Sequence, residues 1–151
     1  MPYEEFNMNV MRLKQLLCYV WVSPITLLFL PLLGVAKLSG GKVTLHTGVI
    51  EICDGWLGRK LHHGLPLFGA VNAFTVGHIV VGVSAQHLAA SRCHERVHVA
   101  QFEKWGCVFP LVYGLGSVYA LARGKHAYWD NPYECEARAK AAEYSPVNPT
   151  K

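Results

Sequence analysis

The sequence predicts a single α+β domain behind an apolar N-terminal helix. Three observations in the 151-residue chain predict it: an uncharged run of 22 residues between Lys14 and Lys37, two stretches rich in β-branched residues, and helical periodicity that starts at Ala85 and returns after Asn131. With 52% hydrophobic and 16% charged residues the composition excludes a disordered chain or a coiled coil, since soluble domains average about 25% charged residues. The net charge of +4 comes from basic residues scattered along the chain. Without a basic stripe, nucleic-acid binding is excluded as well. Five cysteines form no C-x-x-C pair and read as reduced, small buried hydrophobes.

Leu16 to Ala36 is long and apolar enough to span a bilayer, with Tyr19 and Trp21 near its start as interfacial aromatics and Pro24, Pro31 and Gly34 as tolerated kinks. The rival reading is a cleaved signal peptide, for which Arg12 and Lys14 supply the basic start and Gly34-Val35-Ala36 the small residues. Residues 1–37 therefore form an N-terminal segment and membrane anchor, 38–144 the domain, and 145–151 a loose tail. After Gly40-Gly41, Lys42 to Ile52 reads as one strand, and Phe74 to Ser84 as another, with His46 and His78 as structural histidines inside them. His62 and His63, beside Arg59 and Lys60, read as a solvated turn.

Ala85 to Trp105 reads as a helix. At about 100° per residue His94, Val97, His98 and Gln101 share an inward face, while Arg92, Arg96 and Glu103 lie on a solvated far side. The uncharged run Gly106 to Ala122 is an apolar helix or a re-entrant segment. Asn131 then caps a helix of about 13 residues, with Pro132 at its first position and Tyr144 at its end.

The chemistry centres on H-E-R-V-H at 94–98. Two histidines four apart on a helix project from one face and can reach one metal, and Glu95 between them can take a proton from a water that the metal polarises. A catalytic zinc needs a third protein ligand. Glu136 shares a charged face with Lys140 and Glu143 and reads as solvated. Glu134 lies beside Ala137 and Ala141, where small neighbours leave space for a metal, but it also stands where a capping box would bond it back to Asn131.

H-E-R-V-H-V-A-Q, followed some 35 residues later by D-N-P-Y-E-C-E-A, resembles the zinc-binding core of small membrane-associated gluzincin-type metallopeptidases. The family that includes the membrane CAAX prenyl protease joins H-E-x-x-H to a later helix bearing E-x-x-A-D, and uncharacterised bacterial membrane proteins share the H-E-R-V-H and N-P-x-E-x-E-A segments. By position the resemblance implies His94, His98 and Glu134 as Zn2+ ligands on a zincin-like scaffold, Glu95 as the base, and His126 or Tyr128 as a stabiliser of the transition state. It covers about a third of the chain in two blocks. Arg138 stands where the family carries an Asp that orients the metal ligands.

The expected function is zinc-dependent peptide hydrolysis by a membrane-anchored minimal peptidase, its extended peptide or protein substrate pairing with Phe74 to Ser84. The alternative is a noncatalytic membrane adaptor or structural metal-binding protein. Lipid is the other expected partner. Because Glu134 must rejoin the histidines, the run from Gly106 must return to its starting side, by a turn near Gly114-Leu115-Gly116 or as a helix against the domain. That leaves Leu16 to Ala36 as the one crossing in an inner or plasma membrane, with 37–151 on one face, and basic residues divide too evenly to say which.

Overall fold

The computed structural model describes residues 2–64 and 71–144, so the expected loose tail lies outside the described residues. Helix α1 (Pro2–Phe29) is followed by α2 (Pro31–Leu38), and the two are bent by 46°. The single span expected over Leu16 to Ala36 is thus broken, because Pro31 has no N–H to carry the hydrogen-bond ladder across the junction.

Each expected strand is instead a hairpin. Strands β1 (Gly41–His46) and β2 (Val49–Asp54) are joined by Thr47 and Gly48, both at positive φ (42° and 78°), the geometry of a two-residue turn that keeps the strand twist. Strands β3 (Ala73–Val76) and β4 (Ile79–Gly82) are joined by Gly77, at φ 59°, and His78. His78 is therefore a turn residue. Between the hairpins α3 (Gly55–His63) replaces the expected solvated turn and buries Leu57 and Leu61. It carries the chain over so that β4 lies parallel to β2, which gives the order β1-β2-β4-β3 with β3 at an edge.

The period-2 alternation of β2 sorts its side chains between two layers. Ile52 joins Val22, Leu61, Ile79 and Val81 in the main core, while Val49 and Cys53 pack with Val80, Leu88 and Val99. The last two belong to α4 (Ala85–Trp105), whose first turn is capped by Ser84 Oγ accepting from the His87 N–H. The face of α4 expected to be solvated meets the domain. Arg92 forms a bidentate pair with Glu51 of β2 at 2.9 Å, Arg96 donates to the carbonyls of His46 and Thr47, and Glu103 reaches His78 Nε2 at 3.2 Å. Each partner is distant in sequence, so helical periodicity could not reveal it.

Glu51 is buried and Arg92 half-buried. Arg92→Ala strands the carboxylate and is expected to destabilise the fold by about 2 kcal/mol, read as a lower urea midpoint. Hydrogen bonds from Arg92 hold the Glu51 carboxyl below its ordinary range. The stabilisation is therefore complete above about pH 4.3 and is lost as the pH falls through the lower native value, so the two proteins should converge on acidification.

Gly106, at φ 61°, turns the chain through a 3₁₀ turn (Gly106–Val108) into α5 (Phe109–Ala122). The helical run Ala85–Ala122 contains a stretch long and apolar enough to cross a membrane. It is not one straight rod: Phe109 packs on Phe102 and Tyr113 approaches His98, which folds α5 back over α4. No turn forms at Gly114-Leu115-Gly116, so of the two expected routes the chain takes the helix against the domain. Helix α6 (Pro132–Tyr144) has the expected bounds, and Asn131 Oδ1 accepts from the Tyr133 N–H as its cap. Asn131 is fully buried and also donates to Tyr113 O and Ser117 Oγ, which fixes the start of α6 against α5.

Candidate metal centre

Helix α4 supplies His94 and His98, one turn apart, and the first turn of α6 supplies Glu134. Their facing atoms form a triangle: His94 Nε2 to His98 Nε2 3.0 Å, His98 Nε2 to Glu134 Oε1 3.2 Å, and His94 Nε2 to Glu134 Oε2 3.3 Å. Ligands held about 2.0–2.1 Å from a tetrahedral ion stand about 3.3 Å from one another, so the spacing fits a single small cation. Among the described residues this is the group of three that could hold a metal. Glu134 Oε2 is buried and makes no hydrogen bond of normal geometry; it faces the His94 imidazole and the Arg138 guanidinium, whose Nη1 is likewise buried without a hydrogen bond.

The neighbouring groups fix these three side chains. His98 Nδ1 pairs with Gln101 Oε1 at 2.8 Å, which places a proton on Nδ1 and turns Nε2 to the triangle. Gln101 is held in turn by donating to Tyr133 O and Glu136 Oε2. Glu136 also pairs with Lys140 at 2.6 Å on the exposed side of α6, as its charged face suggested. Tyr113 donates to Glu134 Oε1 at 2.9 Å, and Arg138 Nη1 stands 3.7 Å from Oε2. Glu134 is turned to these groups and to the histidines. Asn131 N–H bonds to Tyr128 O, so the capping-box alternative is not what the carboxylate serves.

Burial opposes the charge on Glu134, but the imidazoles of His94 and His98 that face it overcome this and hold the carboxyl well below the usual range. Glu95 behaves in the opposite way: burial raises its pKa despite a 2.6 Å hydrogen bond from Thr75 Oγ1 and the nearby histidines. One carboxylate is thus kept charged between the imidazoles, and the other holds its proton more tightly than an exposed carboxyl does. Burial and Glu134 push the Tyr128 hydroxyl up to about 12, so it remains a donor at neutral pH.

Glu95, His94 and Tyr128 border two cavities. The smaller, about 410 Å³, reaches from His94, His98 and Glu134 to Ile25 and Phe29 of α1 and to Phe109. The larger, about 1020 Å³, includes His126, Ser91 and Arg138. His126 Nδ1 accepts from the backbone N–H groups of Tyr128 and Trp129, so the ring also shapes its own turn. Arg138 is fixed by Trp129, through its carbonyl and across its ring. Of the cysteines Cys53 is buried, Cys18 is half-buried, and Cys93, Cys107 and Cys135 are exposed, which corrects the expectation that all five are buried.

Sequence reasoning missed Thr75, which reads as an ordinary strand residue, and Tyr113, which lies inside an apolar run. Tyr113→Phe keeps the ring and removes the donor to Glu134. It is expected to weaken metal binding by about tenfold, measured by competition with a chromophoric chelator. No family model, curated protein or solved structure matches the chain.

Proposed function

We propose that the protein is a membrane-bound zinc peptidase. The observation that carries this reading is the convergence of His94, His98 and Glu134 on one point, with Glu95 beside them as a separate buried carboxylate. The donor set of two imidazoles and one carboxylate leaves a fourth position for water, and the metal would supply a Lewis acid there that polarises water and the scissile carbonyl. Glu95 accepts the proton of the attacking water and returns it to the leaving amine. Thr75 holds its carboxylate in place. Tyr128 is placed to donate to the developing oxyanion, with His126 on the rim of the larger cavity.

Edge strand β3, which carries Thr75, offers an extended peptide backbone pairing beside the histidines. The membrane reading rests on the apolar outer surfaces of α1 and α5. A second reading is favoured by Arg138, whose cation faces Glu134 where the resembling family carries a carboxylate: the protein holds a metal and cleaves nothing. The detergent-solubilised, zinc-loaded protein should cleave internally quenched peptide mixtures, lose this on chelation and regain it when zinc is restored. A protein that binds zinc stoichiometrically but releases no fluorescence is the adaptor of the second reading.

A further inference from the structure

Helix α1 does not stand free of the domain. Gln15 donates to Glu103, Tyr19 donates to Gly48 O and packs its ring on His78, and Thr26 Oγ1 accepts from the His78 N–H. Val22 and Ile25 are buried in the main core. These contacts extend from residue 15 to residue 26, about 16 Å of helix rise. If α1 crossed a bilayer upright, this flank would carry Glu103, His78 and both hairpin turns to hydrocarbon depth, and beside Gly48 it would carry Arg96. Charged groups and open turn backbone are not tolerated there.

The opposite face of α1 is an apolar stripe, Leu13, Leu16, Leu17, Val20, Leu27 and Leu28, each 57–72% exposed. Helix α5 is built the same way: Phe109, Gly116 and Ala120 are buried, whereas Leu111, Leu115, Val118 and Leu121 are exposed. The two helices are linked where the Trp21 ring lies against Gly106, two residues before exposed Val108. Exposed cations flank both stripes, Arg12 and Lys14 on α1 and Arg123 and Lys125 just after α5. This is the construction of helices that lie in an interface, with apolar residues toward the acyl chains and cations toward anionic headgroups.

We infer that the protein is monotopic: α1 lies in the plane of an anionic membrane surface with the α5 stripe inserted beside it, and the N-terminus stays on the same side as the domain. The inference rests on the membrane-bound reading above and replaces the single crossing expected from the sequence. It is tested on the full chain with an N-terminal and a C-terminal epitope in sealed membrane vesicles of both orientations. Both epitopes should be digested from the same side, and epitopes cleaved from opposite sides would overturn the inference. In a second arm, the purified protein is floated with vesicles of phosphatidylcholine with and without one-quarter phosphatidylglycerol. Leu17→Glu and Leu115→Glu, at exposed positions, should each reduce binding at least tenfold, as should omission of the anionic lipid. Unchanged binding of Leu115→Glu would remove α5 from the surface, and unchanged binding without phosphatidylglycerol would remove the role of the cations. A wild-type chain that stays with neither vesicle overturns the membrane-bound reading itself.

Discussion

Glu95→Gln is expected to keep the metal and lower peptide hydrolysis by about 10²–10⁴-fold, the usual weight of a positioned general base. Glutamine has nearly the same shape, and its amide oxygen can still accept from Thr75 Oγ1, which stands 2.6 Å from the carboxylate in the native protein. Since the native Glu95 carboxyl is already disfavoured as an anion by burial, a neutral replacement should not cost the fold its stability. What it removes is the proton acceptor. Zinc content and turnover measured on the same preparation separate the outcomes: loss of zinc in this variant would mean that Glu95 is itself a ligand, and unchanged turnover would mean that it is not the base.

The second large effect concerns Glu134. Glu134→Ala removes the only carboxylate of the triangle and leaves His94 and His98 to hold the ion between them. A full zinc set contributes on the order of 10–16 kcal/mol, so one ligand's share corresponds to roughly a 10³-fold weaker dissociation constant. Glu143→Ala serves as the control, since Glu143 is an exposed acidic residue of the same helix, more than two turns from Glu134. It should bind metal within a few-fold of wild type. Equal losses in the two variants would show that α6 matters for folding and not for ligation.

The site was more legible than the fold around it. H-E-R-V-H fixes its own geometry, because a four-residue spacing on a helix puts both imidazoles on one face without reference to the rest of the chain. Glu134 could be placed by its small neighbours Ala137 and Ala141 and by the Asn131 cap, which set the start of α6. The hairpins were read as single strands because Thr47-Gly48 and Gly77-His78 are weaker turn signals than Asn-Gly, and β-branched residues continue on both sides. Helix α3 went unread because Arg59, Lys60, His62 and His63 look like a solvated turn, and only the folded sheet shows that Leu57 and Leu61 are buried beneath them. The outer face of α4 looked solvated because its charges find Glu51, His46, Thr47 and His78, which come together only in the folded sheet. Tyr113 is a similar case: its ring suits an apolar helix, and only the fold of α5 over α4 brings its hydroxyl to Glu134.

The metal content of the purified full-length protein tests the central claim most directly. Elemental analysis after removal of loosely bound ions should find one zinc per chain in the wild type and none in His94→Ala. A wild-type protein without zinc that takes none up in titration, or a His94→Ala variant that retains a full equivalent, would contradict the assignment of His94, His98 and Glu134 as its ligands.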